Sequence, residues 1–249
     1  MRAARSFAAI GVAVFLAGLP SGAKTATPVP DAASELRDAV RTLANERQGV
    51  TALHRHADSE QRAPGHDASL DVQSGLLRDG DRVVAVRIYS QMANGAPASA
   101  GDLAKAQADA DKTLSSDAYW LPLREDQIAG YRIENGSCDG CAPGTVAFRF
   151  TSLKRDESHG DGTVVIDASH HIVRVDFVPS AFPKYVDKAS VTMTFGQVLP
   201  DLWDVVEMRQ HYSGHVLFVR GGADITTTFS NYRRFASRDD GLKALAAGV

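Results

Sequence analysis

The chain has 249 residues, 44% hydrophobic and 23% charged, enough length and apolar content for a globular protein with a sizeable core. That composition excludes a disordered polymer, a collagen-like repeat and a polytopic membrane protein. A net charge of −3, from 27 basic and 30 acidic residues, leaves no electrostatic footprint for nucleic acid.

The amino terminus reads as an export signal. Arg2 and Arg5 precede an uncharged apolar run from Phe7 to Leu19; Pro20 breaks it, and Ser21-Gly22-Ala23 supplies small residues for a signal peptidase. The run covers 13 residues, short of the roughly 20 that a helix needs to cross a bilayer. The expectation is a signal peptide over 1–23, cleaved near Ala23. It leaves a periplasmic protein that is not an integral membrane protein and carries a charge of −5 once Arg2 and Arg5 are gone. A linker over 24–30, a single domain over 31–235 and a flexible or helical tail over 236–249 complete the expected layout.

Asp31 is placed to cap a helix whose apolar positions Leu36, Ala39, Val40 and Leu43 fall at i, i+3, i+4 and i+7. Gly49 ends it. Residues 51–68 fit either a weak strand or an ordered loop. The turn Asp79-Gly80-Asp81 introduces a β-rich run, Arg82–Ser90. Ser99 to Asp102 reads as a capping box, opening a helix with Leu103, Ala106, Ala110 and Leu114 along one face. Tyr119 and Trp120 follow in an irregular stretch.

Cys138 and Cys141 are the only cysteines. In an oxidising compartment such a pair forms a disulfide. A redox dithiol needs its first cysteine at a helix amino terminus, whereas Ala142-Pro143-Gly144 and a strand-like run follow here. The pair is predicted to be an inert structural bridge.

From Gly130 the chain reads as successive strands over 130–134, 145–152, 162–167, 171–178, 188–198, 203–212, 215–220 and 223–232, joined by Gly- or Pro-bearing turns. Several strands alternate one-sidedly: Val173, Val175 and Phe177 against Arg174 and Asp176, and Val191, Met193 and Phe195 against Thr192 and Thr194. A sheet with one apolar face must bury it. The predicted class is mainly β (α+β): a curved antiparallel sheet or unclosed β-barrel of about nine strands wrapped around one or two helices.

Chemistry leaves little trace. His54, His56 and His66 complete no metal-ligand spacing, and His170-His171 sits at a predicted hairpin tip. There is no Gly-x-Ser-x-Gly elbow, no GxGxxG and no phosphate loop. No catalytic residue, metal or cofactor is predicted, and the chain is not expected to be an enzyme.

The order of several short pieces resembles exported bacterial proteins related to the outer-membrane lipoprotein carriers, the LolA/LolB-like superfamily. The pieces are Gly130-Tyr-Arg-Ile133, Ala147-Phe-Arg-Phe150, Gly160 to Asp167 with Ile172-Val-Arg-Val175, and Phe182-Pro-Lys184. Val191–Phe195, Pro200-Asp-Leu-Trp203 and Ser230-Asn-Tyr-Arg-Arg-Phe235 continue the series, with Asn94–Ser99 upstream. The resemblance implies an unclosed antiparallel barrel around helices, with an apolar cavity that accepts acyl chains. On that basis the expected function is a periplasmic, monomeric, non-enzymatic carrier of a lipid, acyl chain or lipoprotein. The expected lining is Phe148, Phe150, Val173, Val175, Phe177, Met193 and Phe195. Two alternatives stay open: an envelope protein-interaction or regulatory module with a packed core, contacting a partner through Tyr119, Trp120 and Trp203, and a hydrolase without a sequence-local motif.

Overall fold

A computed structural model describes residues 31–114, 123–137, 141–156, 159–182, 184–216 and 219–248. The first helix, α1 (Ala32–Glu46), begins where Asp31 predicts, the carboxylate accepting from the Ala33 N–H at 3.4 Å. Its stripe of Leu36, Ala39, Val40 and Leu43 is buried.

Three strands follow, β1 (Val50–Ala63), β2 (His66–Asp79) and β3 (Arg82–Ala93), then the two-residue β4 (Ala96–Pro97) and helix α2 (Ala100–Leu114). Beyond a 3-10 turn at Ile128–Gly130 come β5 (Tyr131–Asn135), β6 (Val146–Ser152), β7 (Gly160–Ile166) and β8 (Ile172–Pro179). The long strands β9 (Val186–Leu199), β10 (Leu202–Val216) and β11 (Val219–Phe235) precede α3 (Arg238–Ala247). From Asp31 onward these elements form one compact unit.

The strands make one antiparallel sheet of 11, in the order β4-β3-β2-β1-β11-β10-β9-β8-β7-β6-β5. Every neighbour is a hairpin partner except β1 and β11, which pair along most of their length. Because side chains alternate across a strand, Leu53 and Leu76 belong to the core that contains α1, whereas Ala52 and Leu77 point the other way and pack with Leu245 of α3. The α1 core runs from Leu76 on β2 to Tyr131 on β5. Those strands would lie about 38 Å apart on a flat sheet, and a helix of α1's length spans about 22 Å. The sheet therefore curves around α1, unclosed, with α3 on its outer face.

Close packing fixes one glycine inside the curve. Gly162 stands opposite Phe150 on one side and Phe177 on the other. A Cβ there would come within 2.7 Å of the Phe150 ring and 2.8 Å of Phe177 Cβ, so only glycine lets both rings share the inner face.

Differences from the sequence reading have physical causes. The sheet has 11 strands rather than about nine, and the helix over Arg238–Ala247 is the helical form expected of the tail. Residues 50–79 form a long hairpin, the strand alternative for 51–68, whose signal is ambiguous because the inner face alternates Leu53, Arg55, Ala57 and Ser59, a mixed series that blurs the period of two. The expected strand 215–220 straddles the β10–β11 hairpin, because Gly214 pairs with Gly221 inside the ladder instead of marking its end. A Cβ on Gly214 would sit 2.0 Å from the Tyr185 carbonyl oxygen; the glycine marks a close backbone approach, not a turn.

Candidate functional site

The expected lining residues Phe148, Phe150, Val175, Phe177, Met193 and Phe195 are all buried in the core that also contains Leu36, Val40 and Leu43 of α1. Val173 is half-buried and stands outside that cluster. The inner face beneath α1 is thus filled by the helix.

Open space lies farther along the same face. A cleft of about 480 Å³ opens where the edge of the sheet meets α2. Leu76 on β2 and Val83, Val84 and Val86 on β3 form one wall, and Ala110, Thr113 and Leu114 of α2 the other. Its charged lining is Arg55, Asp81, Arg82 and Arg124. The volume falls in the range of about 300–1,000 Å³ typical of small-molecule sites.

Helix α2 is an unusual wall. The Ser99 hydroxyl accepts from the Asp102 N–H at 3.2 Å and caps its start, yet the helix buries none of its residues. The Gln107 side chain fastens it to β3: its Oε1 accepts from the Ile88 N–H at 2.9 Å and its Nε2 donates to the Val86 carbonyl at 2.9 Å. The apolar stripe along α2 was legible in the sequence; Ala110 and Leu114 from that stripe face the cleft rather than a core.

The cleft's charges are anchored from behind. The Arg55 guanidinium donates to the Ser74 hydroxyl at 2.9 Å. Arg124 grips Asp126 through two nitrogens at 3.1 and 3.3 Å. Asp81 lies 3.3 Å from Arg47, which donates to Asp204 at 2.6 Å, and Arg78 donates to the other Asp204 oxygen. Asp204 has no exposed surface. Burial by itself would raise its pKa, but Arg47 and Arg78 outweigh that, and with the Val205 N–H they hold it at about 2. No local motif announces this triad, since its members lie 126 and 157 residues apart along the chain.

The remaining expected sites are placed as follows. Trp203 is half-buried; its ring stacks on His171 at 4.6 Å, its Nε1 donates to the Ile172 carbonyl at 2.7 Å, and its backbone N–H donates to Glu46 at 2.7 Å. Tyr119 and Trp120 lie outside the described residues, as does Cys138. Cys141 is not a free thiol. His170 has a φ of +62°, and the Asp167 carboxylate accepts from the Ser169 and His171 N–H groups, the turn chemistry expected there. Among the described residues no three His, Cys, Asp or Glu side chains converge as metal ligands, and no helix is long and apolar enough to cross a membrane.

No family model matches the chain, and no curated protein matches it in sequence. Among solved structures it is similar to a LolA superfamily protein of Nitrosomonas europaea, at 10% identity and a TM-score of 0.40 over 84% of this chain and 96% of that one. A DUF1329 family protein of Desulfovibrio piger gives 11% identity and a TM-score of 0.42 over 86% and 99%. An outer membrane lipoprotein-sorting protein domain of Vibrio parahaemolyticus gives 13% and 0.38 over 86% and 98%. The likeness is one of fold alone.

Proposed function

We propose that this chain is an exported, non-enzymatic binding or carrier protein of the cell envelope that holds an acyl chain of a lipid or lipoprotein in the cleft between β3 and α2. The supporting observation is the cleft itself, about 480 Å³ with Leu76, Val83, Val86 and Leu114 in its walls. Each methylene buried there contributes about 0.8 kcal/mol, so a long chain supplies affinity without polar readout. The core residues first expected as lining serve instead as the packed floor that holds α1.

Fluorescent fatty-acid titration and native mass spectrometry of protein purified without detergent test the reading. Ala110→Trp, on the half-buried α2 wall, should fill the cleft and weaken acyl binding at least tenfold while leaving the melting temperature within about 3 °C. Wild-type protein that binds no acyl probe overturns it.

A second reading, a module that contacts an envelope protein, is favoured by the filled core and by the exposed apolar side chains Val146, Leu153 and Val178. It predicts partner capture that Ala110→Trp leaves intact.

A further inference from the structure

The cleft's charge is not that of the molecule. The chain as a whole is acidic, at −3, yet three arginines from three separate segments reach one cleft: Arg55 from β1, Arg82 from the start of β3 and Arg124 from the segment before β5. The acid among the described lining residues is Asp81, and it faces Arg47 at 3.3 Å. Guanidinium groups present planar forks that match the two oxygens of a carboxylate or phosphate, and their attraction for an anion strengthens beside apolar walls. Arg55 is held in place by the Ser74 hydroxyl at 2.9 Å, whereas Arg124 already gives one edge of its guanidinium to the Asp126 carboxylate at 3.1 and 3.3 Å, so Arg55 and Arg82 are the forks placed to meet an anion. Positive forks and apolar walls in one cleft describe an amphiphile, with its tail against Leu76, Val86 and Leu114 and its head at the arginines. A volume of about 480 Å³ lies in the lower part of the range of about 300–1,000 Å³, which suits one chain better than several.

We propose that the cleft selects single-chain amphiphiles with an anionic oxyanion head. The inference rests on the acyl-binding reading above and adds the head-group class to it. The arginines act as specificity determinants: they discriminate among amphiphiles of equal chain length.

The test compares three C16 ligands by isothermal titration: palmitate, palmitoyl lysophosphatidylglycerol and uncharged monopalmitoylglycerol. At least one anionic ligand should bind ten times or more tightly than the neutral one, and raising the salt concentration should weaken only the anionic ligands. Preference for palmitate identifies a carboxylate head, and preference for the lysophospholipid a phosphate head. Arg82→Gln, at an exposed position, and Arg55→Gln, checked for folding by thermal melting, should each weaken anion binding at least fivefold while shifting the neutral ligand less than twofold. Equal affinity for all three ligands, or equal losses in the variants, overturns the head-group inference and leaves the acyl-binding reading standing. No binding of any of the three overturns both.

Discussion

Asp204 shows what a single residue can do in this molecule. It is a fully buried carboxylate between two nearly buried guanidiniums, Arg47 and Arg78, and the cluster ties the end of α1 to β2 and β10. Asp204→Asn removes the carboxylate that two buried cations share, while Arg47 keeps Asp81 at 3.3 Å, and should cost about 3–5 kcal/mol, read by urea denaturation. The pH dependence has a defined sign. With a folded-state pKa of about 2 against the ordinary 3.8, the ionised form stabilises the fold above about pH 4, and that contribution fades as pH falls towards 2. The wild type should lose stability over that interval, while Asp204→Asn, already less stable, should show a flatter profile. A variant as acid-sensitive as the wild type contradicts the assignment. The sequence around Asp204 carries no sign of this role, because charge pairing across the whole fold has no periodicity to read.

At the scale of elements, legibility followed burial. Helix α1 was readable because four apolar side chains at helical spacing all point into one core. Strands β5, β8 and β9 were readable because each has one wet and one apolar face, and β7 because Val164, Val165 and Ile166 form a short β-branched run that is buried throughout. The β1–β2 hairpin was obscure for the opposite reason: Arg55 and Ser59 stand on its inner face among Leu53 and Ala57, so both faces look polar. The cleft was half legible, its α2 stripe evident and its arginines scattered through segments that showed no pattern. Cys138 and Cys141, expected to form a bridge, fall in the sequence between β5 and β6. Loop closure over so few residues stabilises little, so Cys138→Ser with Cys141→Ser should lower stability by no more than about 2 kcal/mol and leave acyl binding unchanged. Two titratable thiols in the wild-type protein purified from an oxidising compartment, or loss of binding in the double variant, tells against an inert bridge.

For the whole molecule, one-sided alternation already demanded a curved, helix-covered sheet, and that much is present. The pairing of β1 with β11 was invisible beforehand. It brings Val50 beside Phe235 and Arg62 beside Gly222, and nothing local in either strand specifies a partner so distant. Most neighbours in the sheet are hairpin partners, so the chain can assemble from adjacent strands and complete the sheet with this single long-range step.

That sheet stops at β3, since β4 pairs only with Met92 and Ala93. Most of β3 would otherwise present a bare ladder edge, open to templating by another chain. The Gln107 amide offers one donor and one acceptor to Val86 and Ile88, the complement that a twelfth strand would bring at that point. A single side chain thus stands in for a strand along this part of the edge. Gln107→Ala should leave the core intact yet yield concentration-dependent oligomers in light scattering, rich in intermolecular β signal by infrared spectroscopy. A variant that scatters light as the wild type does at the highest concentrations would show that Gln107 is not what protects this edge.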